Sequence, residues 1–80
     1  MRVRFDTKTH RGSARFTVPK RVRDQLGLRG DEMVGLRIDS PTGHFEEPIA
    51  LKSGSEVYGR RIRERGIGKD QPITVEIWRL

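Results

Sequence analysis

Eighty residues make one small domain, of a size that buries only about 60% of its unfolded surface. The chain has no cysteine and only two histidines, His10 and His44, which excludes disulfides, thiolate metal sites and a histidine-rich metal cluster. Its formal charge is +6, from seventeen Lys and Arg against eleven Asp and Glu, and no apolar run approaches the ~18 residues of a membrane span. Met1-Arg2-Val3-Arg4 leads into no signal-peptide core, so the expected location is cytoplasmic.

Met1 to Asp6 reads as an opening strand, Val3 and Phe5 alternating with Arg2, Arg4 and Asp6. Thr7 to Ser13 is polar, contains Gly12 and predicts a hairpin loop. Phe16 and Val18 alternate with Arg15 and Thr17, the period of two of a half-buried strand. Pro19 stops the ladder and presets φ for a first helical position. Val22 and Leu26 then share one face of a short helix, with Lys20, Arg21, Arg23 and Asp24 on the others. Gly27 falls where a helix end wants positive φ. Gly30-Asp31 turns the chain into a strand of Val34, Leu36 and Ile38, alternating with Gly35, Arg37 and Asp39.

Ser40-Pro41-Thr42-Gly43 is a turn, and Phe45 to Lys52 predicts a fourth strand, placed at an edge or bulged by Pro48. Ser53-Gly54-Ser55-Glu56 reads as a helix start, with Ser53 or Ser55 as N-cap. The helix is expected over about Glu56 to Arg65, with Tyr58 and Ile62 on one face and Gly66 ending it. Pro72 to Trp78 is a final strand, Ile73, Val75 and Ile77 inward and Thr74, Glu76 and Trp78 outward. The expected core is Val3, Phe5, Phe16, Val18, Val22, Leu26, Leu28, Val34, Leu36, Ile38, Ile49, Leu51, Tyr58, Ile62, Ile73, Val75 and Ile77.

An internal echo runs at an offset of 39: Gly27, Leu28, Asp31, Val34, Leu36 and Ile38 align with Gly66, Ile67, Asp70, Ile73, Val75 and Ile77. A short helix precedes both stretches, as in a duplicated barrel of the cradle-loop kind, closed either by a single chain or by two chains through exchange.

Arg15-Phe16-Thr17-Val18-Pro19-Lys20, Val22-Arg23, Leu26-Gly27-Leu28, Gly30-Asp31 and Val34 together resemble the SpoVT/AbrB-type, swapped-hairpin DNA-binding domain, also found in MazE-like antitoxins. The resemblance covers residues 1–52, and 53–80 form an additional helix–strand unit expected to be integral to a single domain of residues 1–80. It implies a mainly β fold, a small cradle-loop or swapped-hairpin β-barrel with two short α-helices. It also implies a homodimer gripping double-stranded DNA through basic side chains, as a transcriptional regulator. The chain ends in a basic helix and a regular strand, unlike the flexible acidic tail with which a MazE-like antitoxin wraps its toxin.

The layout of charge supports the same partner. Residues 1–23 carry eight cations against Asp6 alone, whereas residues 24–57 carry three cations against seven acids. Arginine outnumbers lysine thirteen to four, and its planar fork suits phosphate and guanine. Lys8, Arg11, Arg15, Lys20, Arg21 and Arg23 are the candidate DNA-binding residues, with Arg15, Arg21 and Arg23 at positions where the family contacts DNA. Arg60, Arg61 and Arg63 are auxiliary candidates, although helical spacing spreads them around the axis and Glu56 or Glu64 can pair with Arg60.

Catalytic arrangements are absent from the sequence: no nucleophile elbow, P-loop or GxGxxG run occurs, and His44 beside Glu46 and Glu47 is an ordinary charged turn. No enzyme activity, cofactor or metal is expected. Trp78 alone makes no base-stacking platform for single strands. The rival reading is a protein-interaction or adaptor module, using the acidic Asp31, Glu32, Asp39, Glu46, Glu47 and Glu56 and an edge at Pro48.

Overall fold

The computed structural model describes residues 1–51, 56–57 and 59–80. In chain order it contains β1 (Arg2–Lys8), β2 (Phe16–Thr17), α1 (Lys20–Leu26), β3 (Met33–Asp39), β4 (His44–Ala50), β5 (Glu56–Val57), α2 (Arg60–Glu64) and β6 (Pro72–Arg79). Strands take 44% of the described residues and helices 16%, so the fold is mainly β. The strands form an antiparallel four-stranded sheet, ordered β1-β6-β3-β4, and a β2-β5 ribbon. These two sheets do not close into one barrel. Among the described residues no helix is long and apolar enough to cross a membrane.

Alternation builds the sheet. Val3 and Phe5, Val34, Leu36 and Ile38, Phe45 and Ile49, and Ile73, Val75 and Ile77 turn to one face and are buried. Every described residue of the expected core is buried; Tyr58 lies outside the described residues. Ala14, Phe45, Val57 and Ile67 join them. Pro48 sits on β4, an edge strand with one hydrogen-bonded neighbour, where a missing N–H is tolerated.

On the opposite face Trp78 lies across Gly35, where any Cβ would come within 2.0 Å of the indole. The Arg2 guanidinium stacks 3.9 Å from the Trp78 ring centroid. Gly35 is therefore a packing glycine, leaving room for the one tryptophan.

The halves are related by an approximate two-fold axis. Reading the sheet from either end gives equivalent strands, β1 for β4 and β6 for β3. The registers agree: Val3 faces Ile77 as Phe45 faces Ile38, and Thr7 faces Ile73 as Ile49 faces Val34. The Thr9 N–H donates to Gln71 O, and the Leu51 N–H donates to Glu32 O, both at 2.9 Å. Gly27 and Gly66 have φ of 65° and 89°, and Asp31 and Asp70 have φ of 46° and 55°. The echo at offset 39 is thus a repeat of backbone conformation as well as of residues.

Three elements differ from expectation. Thr7 and Lys8 belong to β1, and the loop up to Ser13 closes no hairpin, because β1 pairs with β6 and β2 with β5 in separate sheets. Glu56 and Val57 form β5 and pair with Thr17 and Phe16, so the second helix begins only at Arg60. Burial of Val57 against the first half outweighs the helical preference of Glu56, because cross-strand packing outranks local propensity. The expected helix start at Ser53 or Ser55 lies outside the described residues. Pro19 precedes α1 as its N-cap, φ −59° and ψ 148°, instead of occupying the first helical position. Its carbonyl accepts from the N–H groups of Val22 and Arg23, at 3.0 and 3.1 Å.

Gly27 ends α1 as anticipated. Its N–H donates to Asp24 O and the Leu28 N–H to Arg23 O, a Schellman closure that returns buried Leu28 toward Val22.

Because β6 lies between β1 and β3, a fragment of residues 1–52 loses the centre of its sheet. It should be unfolded or aggregated, giving no cooperative thermal transition by circular dichroism. A soluble fragment melting cooperatively would show that the first half folds unaided.

The β3–β4 turn supplies a pH test. His44 Nδ1 donates to Asp39 Oδ1 at 2.6 Å. That bond is the chief cause holding the Asp39 carboxyl below its ordinary range; slight desolvation opposes it, and the Arg37 guanidinium reinforces it. A carboxyl depressed in the folded state stabilises the fold above its unfolded pKa, and loses that contribution as pH falls through the folded value. His44→Ala should therefore move the Asp39 titration midpoint up toward the ordinary carboxylate range in a carboxyl-detected NMR titration. It should also lower the melting temperature at neutral pH more than at strongly acid pH. An unmoved midpoint would remove His44 as the cause.

Candidate nucleic-acid interface

The first basic group spans the end of β1, the β1–β2 loop and α1. The loop is held by the second half. Thr9, 3% exposed, is the one buried polar residue among those described. Its Oγ1 donates to Gly68 O at 2.8 Å and accepts from the Gln71 N–H at 2.8 Å. The Asp70 N–H donates to His10 O, and the His10 N–H to Arg15 O, both at 2.9 Å. The α2–β6 turn thus fixes the path of the cationic loop.

Within that loop the Gly12 N–H donates to His10 Nδ1 at 2.9 Å, and Arg15 Nη2 lies 3.3 Å from His10 Nε2. Thr7, Lys8, His10, Arg15, Phe16, Thr17 and Glu56 line an open pocket of about 270 Å³. Lys8 and Arg15 supply its cations, and Glu56 offsets one of them. Lys8 Nζ also lies 3.0 Å from Asp70 Oδ1.

The six expected residues are not equally available. Arg11, Lys20 and Arg21 are exposed, with no acidic partner within 4.0 Å among the described residues. Arg15 is half-buried beside His10. Arg23 was expected on the exposed helix face, but it is half-buried and its Nε is buried without a hydrogen-bond partner. The cause is the short helix: seven residues packed through Val22 and Leu26 leave their middle turn close to the core.

The auxiliary cations separate into two kinds. Glu47 points inward between Phe45 and Ile49 and is half-buried. It accepts from Arg61 and, at 2.6 Å, from Arg65, tying α2 onto β4. These pairs form instead of the expected i, i+4 pairs of Arg60 with Glu56 and Glu64. Arg60 and Arg63 are exposed and have no acidic partner within 4.0 Å among the described residues.

Several acidic side chains are already engaged. Arg37 Nε lies 3.4 Å from Asp39 Oδ2 and 3.9 Å from Glu46 Oε1, and Arg2 Nη1 lies 3.2 Å from Glu76 Oε1. On the outer face of the large sheet, the cations Arg2, Arg4, Lys8 and Arg37 balance Asp6, Asp39, Glu46 and Glu76. That face is therefore electrically neutral and contributes nothing to the +6 of the chain. Among the described residues no three His, Asp or Glu side chains are grouped to hold a metal ion.

Sequence reasoning missed Thr9 and Gln71 as organisers of the loop. Thr9 continues the inward parity of Val3, Phe5 and Thr7, and that was the signal available for a buried hydroxyl. No family model matches the chain, and comparisons with curated proteins and with solved structures find no match either.

Thr9→Val keeps the shape and removes both hydroxyl hydrogen bonds. Leaving the Gln71 N–H without its partner should cost about 1–3 kcal/mol, which is ~4–8 °C of melting temperature per kcal/mol in a domain of this size. Thr9→Ser should melt close to the parent. If the valine variant melts as high as the serine variant, the hydroxyl does not organise the loop.

Proposed function

We propose that this chain binds double-stranded DNA as a transcriptional regulator of the AbrB-like type, docking through the cations of the β1–β2 loop and α1. The observation that carries the reading is the distribution of charge. The sheet's outer face is electrically balanced, and half of the basic excess, +3 of the +6, lies on residues 9–32, the elements that also carry the family-like motif. A concentrated cationic surface attracts the phosphate backbone and releases its counterions. Arg11, Lys20 and Arg21 are placed to follow phosphates, while Arg15 lies deeper in the loop. Base reading by so few side chains is limited, so specificity rests partly on DNA shape.

The finer fold reading is a cradle-loop barrel of the swapped-hairpin kind. It is supported by the two β-β-α-β halves and by the way each contributes strands to the other. The pairing that two chains would exchange, β1 with β6 and β2 with β5, occurs here within one chain. This pairing supports the single-chain closure over exchange between two chains. Of the acids the adaptor reading would use, Asp39, Glu46 and Glu47 already pair with Arg37, His44, Arg61 and Arg65, which leaves Asp31, Glu32 and Glu56 to carry it.

Duplex affinity measured over a sodium chloride series tests the reading. The Arg11→Ala, Arg15→Ala, Arg21→Ala triple variant should melt near the parent yet bind more weakly. Its log-affinity against log-salt slope should flatten by about 0.9 for each phosphate that is no longer neutralised. Unchanged affinity at equal salt would sink the reading. Salt-insensitive binding to a single protein would promote the adaptor function.

A further inference from the structure

A second correspondence, at an offset of 40, joins the two helices. Lys20, Arg21, Val22, Arg23 and Asp24 match Arg60, Arg61, Ile62, Arg63 and Glu64 in charge and character. The structure places these runs equivalently: each occupies a short helix whose single central apolar residue, Val22 or Ile62, is wholly buried. The equivalent strands β2 and β5 pair antiparallel with each other, Phe16 facing Val57 and Thr17 facing Glu56, so the approximate axis passes through this ribbon.

The other end of the axis passes between Arg37 and Glu76, which face each other at the centre of the sheet. The axis therefore runs from the balanced outer face of the sheet toward the β2–β5 ribbon. A two-fold operation preserves height along its own axis. Cations at matching positions on α1 and α2 thus stand at the same distance from the sheet and flank the ribbon on either side.

We propose that α2 is a second phosphate-binding half-site beside α1, so that one chain grips one duplex through two cation sets, one on each of the symmetry-related helices. The inference rests on the DNA-binding reading and adds the partner geometry and the stoichiometry. Lys20 and its counterpart Arg60 are common to the two sets; Arg21 completes the first, and Arg63, the exposed counterpart of half-buried Arg23, completes the second, because Arg61 is held by Glu47. That difference has a plain origin. The position in β1 that matches Glu47 by register is Phe5, facing Val75 as Glu47 faces Leu36, so the first half holds no carboxylate at that position. The longest dimension of the molecule is 30 Å, so both sets fall within about one 34 Å turn of B-DNA. The two strand backbones of one duplex can therefore be met without a second copy.

The test compares the full chain with Lys20→Ala/Arg21→Ala and with Arg60→Ala/Arg63→Ala, by fluorescence anisotropy on a 20-base-pair duplex across a salt series. Glutamine at positions 60 and 63 serves as an alternative if alanine alters the melting curve. Each pair should flatten the salt slope by about 1.8, two phosphates at about 0.9 each. Lysine at positions 60 and 63 should restore it. Titration at concentrations well above Kd should saturate at one chain per duplex site.

A normal slope for the Arg60/Arg63 pair beside a flattened slope for Lys20/Arg21 would overturn the second half-site and leave the DNA reading standing. Saturation at two chains per site would equally overturn the single-chain grip. Failure of the parent to bind duplex would overturn both readings together.

Discussion

The antiparallel pairing of β3 with β6 is the contact on which this molecule depends. Each strand is the last element of its half, and each lies between the other and the first strand of a half: β6 beside β1, β3 beside β4. Val34, Leu36 and Ile38 meet Ile73, Val75 and Ile77 in the buried layer below. Neither half can satisfy its backbone groups or cover its apolar face alone. The β3–β4 hairpin is local, but completing the four-stranded sheet must bring together residues more than thirty positions apart, and such non-local closure is slow to form. Everything outside the sheet is positioned by that pairing, including the turn of Asp70 and Gln71 that holds the cationic loop.

The pairing also explains how a small chain builds a sufficient core. Among the described residues twenty apolar side chains are buried in one cluster, drawn from both helices, all six strands and the segments between them. A single ββαβ half offers one hydrophobic face and several open edges, the usual liability of an isolated sheet. Combining two halves covers the face and leaves β1 and β4 as the edges. Those edges carry Arg2, Arg4 and Lys8 on one side and Pro48 on the other, devices that oppose further strand addition.

Much of this was legible because the halves repeat. Alternation located β1, β3 and β6, and Gly27 and Gly66 marked both helix ends through a left-handed backbone that glycine adopts without strain. Ile67 could have been assigned to the core from its match with Leu28. Val57 could not, because a two-residue ribbon has no period, and its burial is decided by Phe16 of the other half. Arg23 shows the limit at the site. The helical wheel places it away from Val22 and Leu26, but a helix of seven residues set close to a sheet has little truly free surface. Glu47 shows a second limit. Its parity puts it inward, where a carboxylate is disfavoured unless paired, and the sequence does not say that Arg61 and Arg65 supply the partners.

The same ion pairs bear on what the surface does. Exposed salt bridges contribute little stability, typically about 0–1 kcal/mol, so the Arg2, Arg37 and Asp39 contacts have small effect on whether the chain folds. Their effect on the field is larger. They balance one end of the molecule locally, so the net charge is carried by Arg11, Lys20, Arg21, Arg60, Arg63 and their neighbours. A uniform spread of the same charges would give a weakly basic sphere with no preferred orientation toward a polyanion. Segregation gives the molecule a direction, and the approximate two-fold axis lies along it. An approach that presents the ribbon to a phosphate backbone presents both helices at once, which is why the balance of charge on the sheet and the repeat of KRVRD as RRIRE act together in recognition.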